Sequence, residues 1–261
     1  MLSCNRVWGA GQSNDLQNSD LQNSPECLVR VAGLRRAFGG ILVLDGVDLD
    51  VHAGEGVALL GANGSGKTTL LKTVATLQRP SRGSVTVAGH DVARDAEQVR
   101  RYVGLVAHGS YIYEDLTALE NLRFWTTLSG LRPSAVDLLA ALAAVELEAF
   151  ASDRARTFSA GMKRRLSLAR FVLAGPRVLL LDEPFTGLDQ QGRKWLEEYL
   201  LAFKARGGAL LMATHSFRLG FTVADRFVIL AGGRIVVDRA RIDLTPDELG
   251  RLYALHTEDA S

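Results

Sequence analysis

Apolar residues are grouped in two alternating ways along this chain. The stretches CLVRVAGLRRAF (27–38) and VDLDVHAGEGVALLG (47–61) cluster β-forming residues between glycine-rich turns, which predicts strands. GKTTLLKTVATL (66–77) then places apolar residues at helical spacing. GSVTVAG (83–89) reads as a short strand and YVGLVAH (102–108) as a buried one. From about 116 to 174 the pattern is mostly helical, with LTALENLRFWTTLSG and SAVDLLAALAAVELEAFA both amphipathic. RVLLLDEP (177–184) is a continuous apolar run ending in acids, the pattern of a strand buried on both faces of a parallel sheet. GALLMATH (208–215) and RFVILAGG (226–233) are two further strands, with helix-like stretches between them. Strands and helices therefore alternate at both ends around a helical insert. The expected class is α/β, a largely parallel sheet flanked by helices, with a small helical subdomain.

The first residues stand apart. SNDLQNSDLQNSP (13–25) is a near-repeating polar stretch that buries too little to offset chain entropy, so 1–26 is expected to be a disordered tail. A start codon assigned too far upstream leaves the same trace. At the other end TPDELGRLYAL (245–255) reads as a short capped helix within a tail of 241–261.

The 261 residues suffice for one large domain or a core with a subdomain. With 47% hydrophobic and 23% charged residues, a globular fold is expected. A net charge of +1 argues against a broad nucleic-acid footprint. The two cysteines, Cys4 and Cys27, match neither a metal-ligand spacing nor a disulfide framework, which suits a reducing compartment. No apolar run approaches the ~20 residues that span a bilayer. The N-terminal residues lack the apolar stretch of a signal peptide. A membrane role would therefore be exercised from the surface, through a partner.

The chemistry concentrates in a few short motifs. GANGSGKTT (61–69) has the P-loop spacing, follows the strand-like GVALL and opens a helix. Glycines let backbone N–H groups turn inward at phosphate oxygens, and the helix N-terminus adds a favourable dipole. Gly61, Ala62, Asn63, Gly64, Ser65, Gly66, Lys67, Thr68 and Thr69 are thus the expected phosphate cradle. Lys67 would reach the β- and γ-phosphates and the Thr68 hydroxyl would bind Mg²⁺. Asp182 ends the strand VLLLD, in a position to hold the same Mg²⁺. Glu183, one residue on, suits a general base that polarises the attacking water. His215 ends another strand and can hydrogen-bond a γ-phosphate oxygen; a capping or surface histidine is the other reading.

A second anion-like turn, Ser159-Ala160-Gly161, opens the basic segment FSAGMKRRLSLAR (158–170) about a hundred residues later. P-loop, FSAGMKRR, LLLDEPFTGLD and ATHS, in this order, resemble the ATP-binding subunits of ABC transporters over about residues 28–237. The resemblance implies an ABC-type P-loop ATPase fold. It has a largely parallel core, an antiparallel β subdomain and an inserted helical subdomain of about 109–174, within a domain of 27–240. It also implies ATP and Mg²⁺, ATP hydrolysis coupled to transport, and a homodimer with ATP at the interface. The partner would be an integral membrane transporter subunit, reached from the cytoplasmic face of the inner membrane.

In such a dimer the P-loop of one copy and the signature turn of the other enclose each nucleotide, so two anion sites in one chain are halves of different sites. Ser159 and Gly161 match the usual Ser-Gly-Gly-Gln pattern, whereas Ala160 and Met162 depart from it. Lys163 and Arg164 read as a solvated helix face. Phe38 falls where the family stacks an aromatic ring on adenine; a core phenylalanine is the alternative. Asp189 falls in the loop that crosses the dimer interface, and is also a helix N-cap candidate.

His108 replaces the family's usual glutamine at the hinge to the helical subdomain, where that residue touches Mg²⁺ or the attacking water. A solvent-facing histidine is the alternative. With LTALENLRFW, VAGHDVARDAEQVRR, TFSAGMKRRLSLAR and DEPFTGLD, it resembles one branch, the haem exporters of cytochrome c biogenesis. Exporters of a drug, lipid or polysaccharide are the other transporter reading. A ribosome- or DNA-directed ATPase fits less well, with one P-loop and no sustained heptads. A kinase-like enzyme would lack the signature turn. If His108 keeps this role as a neutral imidazole, turnover is pH-sensitive near neutral pH, where histidine titrates. His108→Gln should flatten the pH–rate profile there; an unchanged profile would remove the pH role.

Overall fold

The computed structural model describes residues 25–107, 112–214 and 221–257. They form two compact units, one α/β and one helical.

The α/β unit holds two sheets. In the larger, six strands run in the order β10-β9-β3-β8-β7-β6. They are β3 (Gly56–Leu60), β6 (Val103–Val106), β7 (Val178–Asp182), β8 (Ala209–Ala213), β9 (Arg226–Ala231) and β10 (Arg234–Ala240). Neighbours from β9 to β6 pair in parallel, and β10 returns antiparallel on β9. Every residue of β3, β7 and β8 is buried, as their unbroken apolar runs require of strands covered on both faces. The three strands are parallel and adjacent in the order β3-β8-β7, so their C-terminal ends share one edge of the sheet.

The smaller sheet is antiparallel in the order β2-β1-β4-β5: β1 (Cys27–Phe38), β2 (Ile41–His52), β4 (Arg82–Val87) and β5 (His90–Asp91). Its alternating apolar residues, among them Leu28, Val31, Leu44, Val47, Val85 and Val87, join Leu59, Leu70, Leu180 and Leu211 in one hydrophobic core. This is the antiparallel β subdomain that the resemblance implied. At the opposite edge from the C-terminal strand ends, Asp225 accepts from the Gly56 N–H at 2.8 Å and pairs with Lys204 at 2.5 Å. Arg226 pairs with Glu55 at 3.2 Å and Asp238 at 3.4 Å.

Two elements differ from the sequence reading. The strand read over 102–108 is shorter, because Tyr102 ends a helix, α2 (Ala96–Tyr102), that short polar spacing conceals. Beyond RFVILAGG the chain continues as β10, through a turn whose Gly232 and Gly233 have φ of 54° and 76°.

In the helical unit α3 (Ala118–Leu128), α4 (Ala135–Ala144) and α5 (Ala160–Ala174) bury Leu122, Leu138, Leu142, Leu168 and Phe171. Thr117 with Glu120, and Ser134 with Asp137, form capping boxes at the starts of α3 and α4. Lys163 and Arg164 do not form a solvated face. Lys163 pairs with Glu114. Arg164 is half-buried, with Nη1 wholly shielded from solvent, and burial pushes its guanidinium below the usual range. The four consecutive residues Leu166, Ser167, Leu168 and Ala169 are buried, so α5 is covered on most sides rather than along one stripe. Residues 190–205 and 246–257 form α6 and α7 of the α/β unit.

Candidate functional site

β3 ends at Leu60, and the chain then turns through the P-loop into α1 (Lys67–Val74). Space around the loop explains its glycines. A Cβ at Gly61 would lie 2.3 Å from the Leu230 carbonyl oxygen and 2.5 Å from Ser65 Oγ. At Gly66, φ is 108° and a Cβ would lie 2.7 Å from Leu44 Cδ2. β2 thus closes on the loop from one side and β9 from the other. Gly66 caps α1 without a side-chain bond to its first-turn N–H groups, and no acid stands in that turn. The helix start therefore keeps its partial positive charge for an anion.

Lys67 is buried, with Nζ donating to the carbonyl oxygens of Gly61 at 2.7 Å and Ala62 at 2.9 Å. Its pKa lies below the usual lysine value: desolvation lowers it, and the opposing pull of Glu183 and Asp182 is smaller. Ser65 Oγ is shielded from solvent and has no hydrogen-bond partner among the described residues. An anion in the loop fits both features, as a counter-charge for Lys67 and an acceptor for Ser65.

Thr68 Oγ1 donates to Asp182 Oδ2 at 2.9 Å, across 114 residues of sequence. The pair offers the hard oxygen ligands that Mg²⁺ prefers, so its donors fit the ion expected there. Glu183 follows with φ of 49°, a left-handed conformation that side chains rarely take. Its N–H donates to Ala213 O at 2.9 Å, which fixes the backbone to the end of β8. Buried Thr214 donates from Oγ1 to Glu183 Oε2 at 3.4 Å, while its N–H meets Leu59 O at 3.1 Å. Sequence reasoning missed Thr214. Its signal was a hydroxyl at the end of a wholly apolar strand, where a buried polar group needs a partner.

Phe38 ends β1 opposite Ile41 and is 40% exposed, so it is not a core residue. Leu44, three positions along β2, is the residue that meets Gly66. At ~3.4 Å per residue the ring stands roughly 10 Å along the strand from the P-loop.

In the helical unit Ser159 caps α5, its Oγ accepting from the Met162 N–H at 3.2 Å. Ala160 is the first residue of that helix and Gly161 the second. Asp189 is exposed and directly precedes α6. His108 and His215 lie outside the described residues.

Thus Lys67, Thr68, Asp182 and Glu183 converge at one edge of the sheet. The model of the ABC transporter family matches residues 44–186. The chain belongs to that family.

It is 33% identical over 225 residues to the Nod factor export ATP-binding protein I of Cupriavidus pinatubonensis, a match covering 85% of this chain and 69% of the relative. It is 32% identical over 246 residues to the daunorubicin/doxorubicin resistance ATP-binding protein of Streptomyces peucetius, covering 92% and 73%. A solved ATP-binding subunit of an ABC transporter shares 31% identity at a TM-score of 0.75, over 89% of this chain and 97% of that one. A cassette solved as a dimer in a post-hydrolysis state with ADP and phosphate shares the fold, at 24% identity and a TM-score of 0.72, over 82% and 99%. The chain is accordingly an ABC ATPase, the ATP-binding subunit of a transporter.

Thr68→Val removes one hard oxygen and the bond to Asp182 at almost unchanged volume. ATP binding measured with Mg²⁺ present should weaken by about tenfold or more, whereas binding in chelator should change little. The scale is that of removing a group that supports a bound metal, about 10–100-fold.

Proposed function

We propose that this chain powers an exporter by binding ATP between two copies of itself and hydrolysing it. The observation that carries the reading is the convergence of Lys67, Thr68, Asp182 and Glu183 around the P-loop. Gly61 to Thr69 would cradle the phosphates, with the α1 dipole and Lys67 facing their charge. Thr68 and Asp182 would hold Mg²⁺, joined by His108 at the hinge. Bound there, Mg²⁺ would neutralise charge on the phosphates. Glu183 would hold the attacking water and take its proton, with His215 on the γ-phosphate. Phe38 would stack on adenine.

Ser159 and Gly161 would cover the γ-phosphate held by the second copy, with Asp189 at the same interface. ATP favours the closed pair by its higher affinity for that state, and hydrolysis releases it. The helical unit would pass the movement to a membrane subunit. Among the described residues no helix is long and apolar enough to cross a membrane; the chain would work as a peripheral subunit at the cytoplasmic face.

Two cargo readings follow from different observations. His108 and the motif segments resembling cytochrome c biogenesis support haem. The names of the relatives, which export Nod factor or confer daunorubicin resistance, support another cargo such as a drug, lipid or polysaccharide. Affinity purification from gently solubilised membranes separates them. A polytopic cytochrome-maturation subunit among the co-purifying proteins supports haem. A different polytopic partner supports the second reading, and recovery with ribosomes alone would overturn transport.

The ATPase site has its own test. Glu183→Gln keeps the shape of the side chain and removes the base, so turnover should fall at least ~100-fold. ATP binding should persist, and ATP should now drive the chain into a dimer visible by size-exclusion chromatography. Retained turnover would exclude Glu183 as the base.

A further inference from the structure

The guanidinium of Arg36 lies over the ring of Phe38, with Cζ 4.3 Å from the ring centroid. The two residues are two apart on β1, which puts their side chains on one face of the strand. Arg36 is half-buried, and its Nε is shielded from solvent without a hydrogen-bond partner among the described residues. One face of the ring is therefore taken by a cation. Beyond Phe38 the chain turns through Gly39 and Gly40, with φ of 53° and 88°, and a Cβ at either would meet nothing within 4 Å. No side chain of the turn stands beside the ring. Around it Ile41 and Leu42 are 72% and 50% exposed, so the tip of this hairpin is apolar and open.

We propose that Arg36 is a positioning residue for the nucleotide base, holding the Phe38 ring from one side so that the purine stacks on the other. The inference rests on the reading of Phe38 as the base-stacking ring. A phenyl ring at a glycine turn rotates freely unless something fixes it, and stacking on a mobile ring costs the entropy of stopping it. The guanidinium removes part of that cost beforehand. It is attracted by the negative face of the ring and, being planar, lies flat on it. Arg36 touches neither base nor phosphate in this arrangement and acts only through Phe38.

The alternative is direct: a cation near the P-loop attracting the phosphates. The two are separated by a ligand without a base. Calorimetric binding of ATP and of inorganic tripolyphosphate would be compared, in chelator to prevent turnover, for the unaltered chain, Arg36→Ala, Phe38→Ala and the double variant. Arg36→Ala should weaken ATP about two- to five-fold, the range of an exposed cation–π contact, and leave tripolyphosphate unchanged. In the Phe38→Ala background, Arg36→Ala should have no further effect on ATP. Equal losses for ATP and tripolyphosphate, or the same loss with and without Phe38, would overturn the proposal. Should Phe38→Ala bind ATP as well as the unaltered chain, the stacking reading of Phe38 fails, and the role of Arg36 with it. Arg36→Gln keeps the start of the aliphatic stem and a polar group near the place of Nε without the cation, and should reproduce the Arg36→Ala result if the alanine variant folds poorly. At saturating ATP, kcat of the Arg36 variants should stay unchanged while KM rises.

Discussion

The hydrogen bond from Thr68 to Asp182 joins the two halves of the chemistry. One partner opens the helix after β3 and the other closes β7, and β8 lies between those strands. The contact exists only if three strands end level at one edge of the sheet. Their registers arrange this, since Leu59 and Asp182 both pair with Ala213 of β8. Buried apolar side chains on both faces hold the strands in that register. A one-residue slip would send every side chain of a strand to the opposite face. Core packing therefore sets the geometry of the site as well as the stability of the unit.

The same edge concentrates a conflict of charge. Lys67 is buried, and desolvation outweighs the attraction of two neighbouring carboxylates. Two loop carbonyls absorb its N–H bonds without supplying a counter-charge. Phosphate oxygens would supply that charge, so ligand binding relieves a cost the folded chain already carries. The left-handed backbone of Glu183 is a further cost at the same place, held by its N–H bond to Ala213.

Much of this was legible in the sequence because the decisive signals are local. VLLLD and ALLMA admit few readings other than buried strands, and the P-loop spacing is rarely met by chance. The antiparallel sheet came from family resemblance, since hairpin strands with bulges carry weaker periodicity. The burial of Arg164 was not legible: a run of three basic residues reads as exposed, and only tertiary packing encloses α5 on most sides. The pairing of Arg36 with Phe38 was equally hidden, because it depends on rotamers at a glycine turn. Thr214 was overlooked because its role comes from a partner 31 positions away.

The signature turn carries a residue where the family usually has glycine, and the helix explains why it is tolerated. Ala160 is the first residue of α5, following Ser159 at a φ of −62° and ψ of 164°. A helical position asks for no left-handed backbone, and alanine restricts the disordered chain more than glycine does. Substitutions of that kind stabilise by about 0.4–1 kcal/mol through the unfolded ensemble. The substitution therefore favours the folded state without altering the helix start itself, where the Met162 N–H still meets the Ser159 hydroxyl.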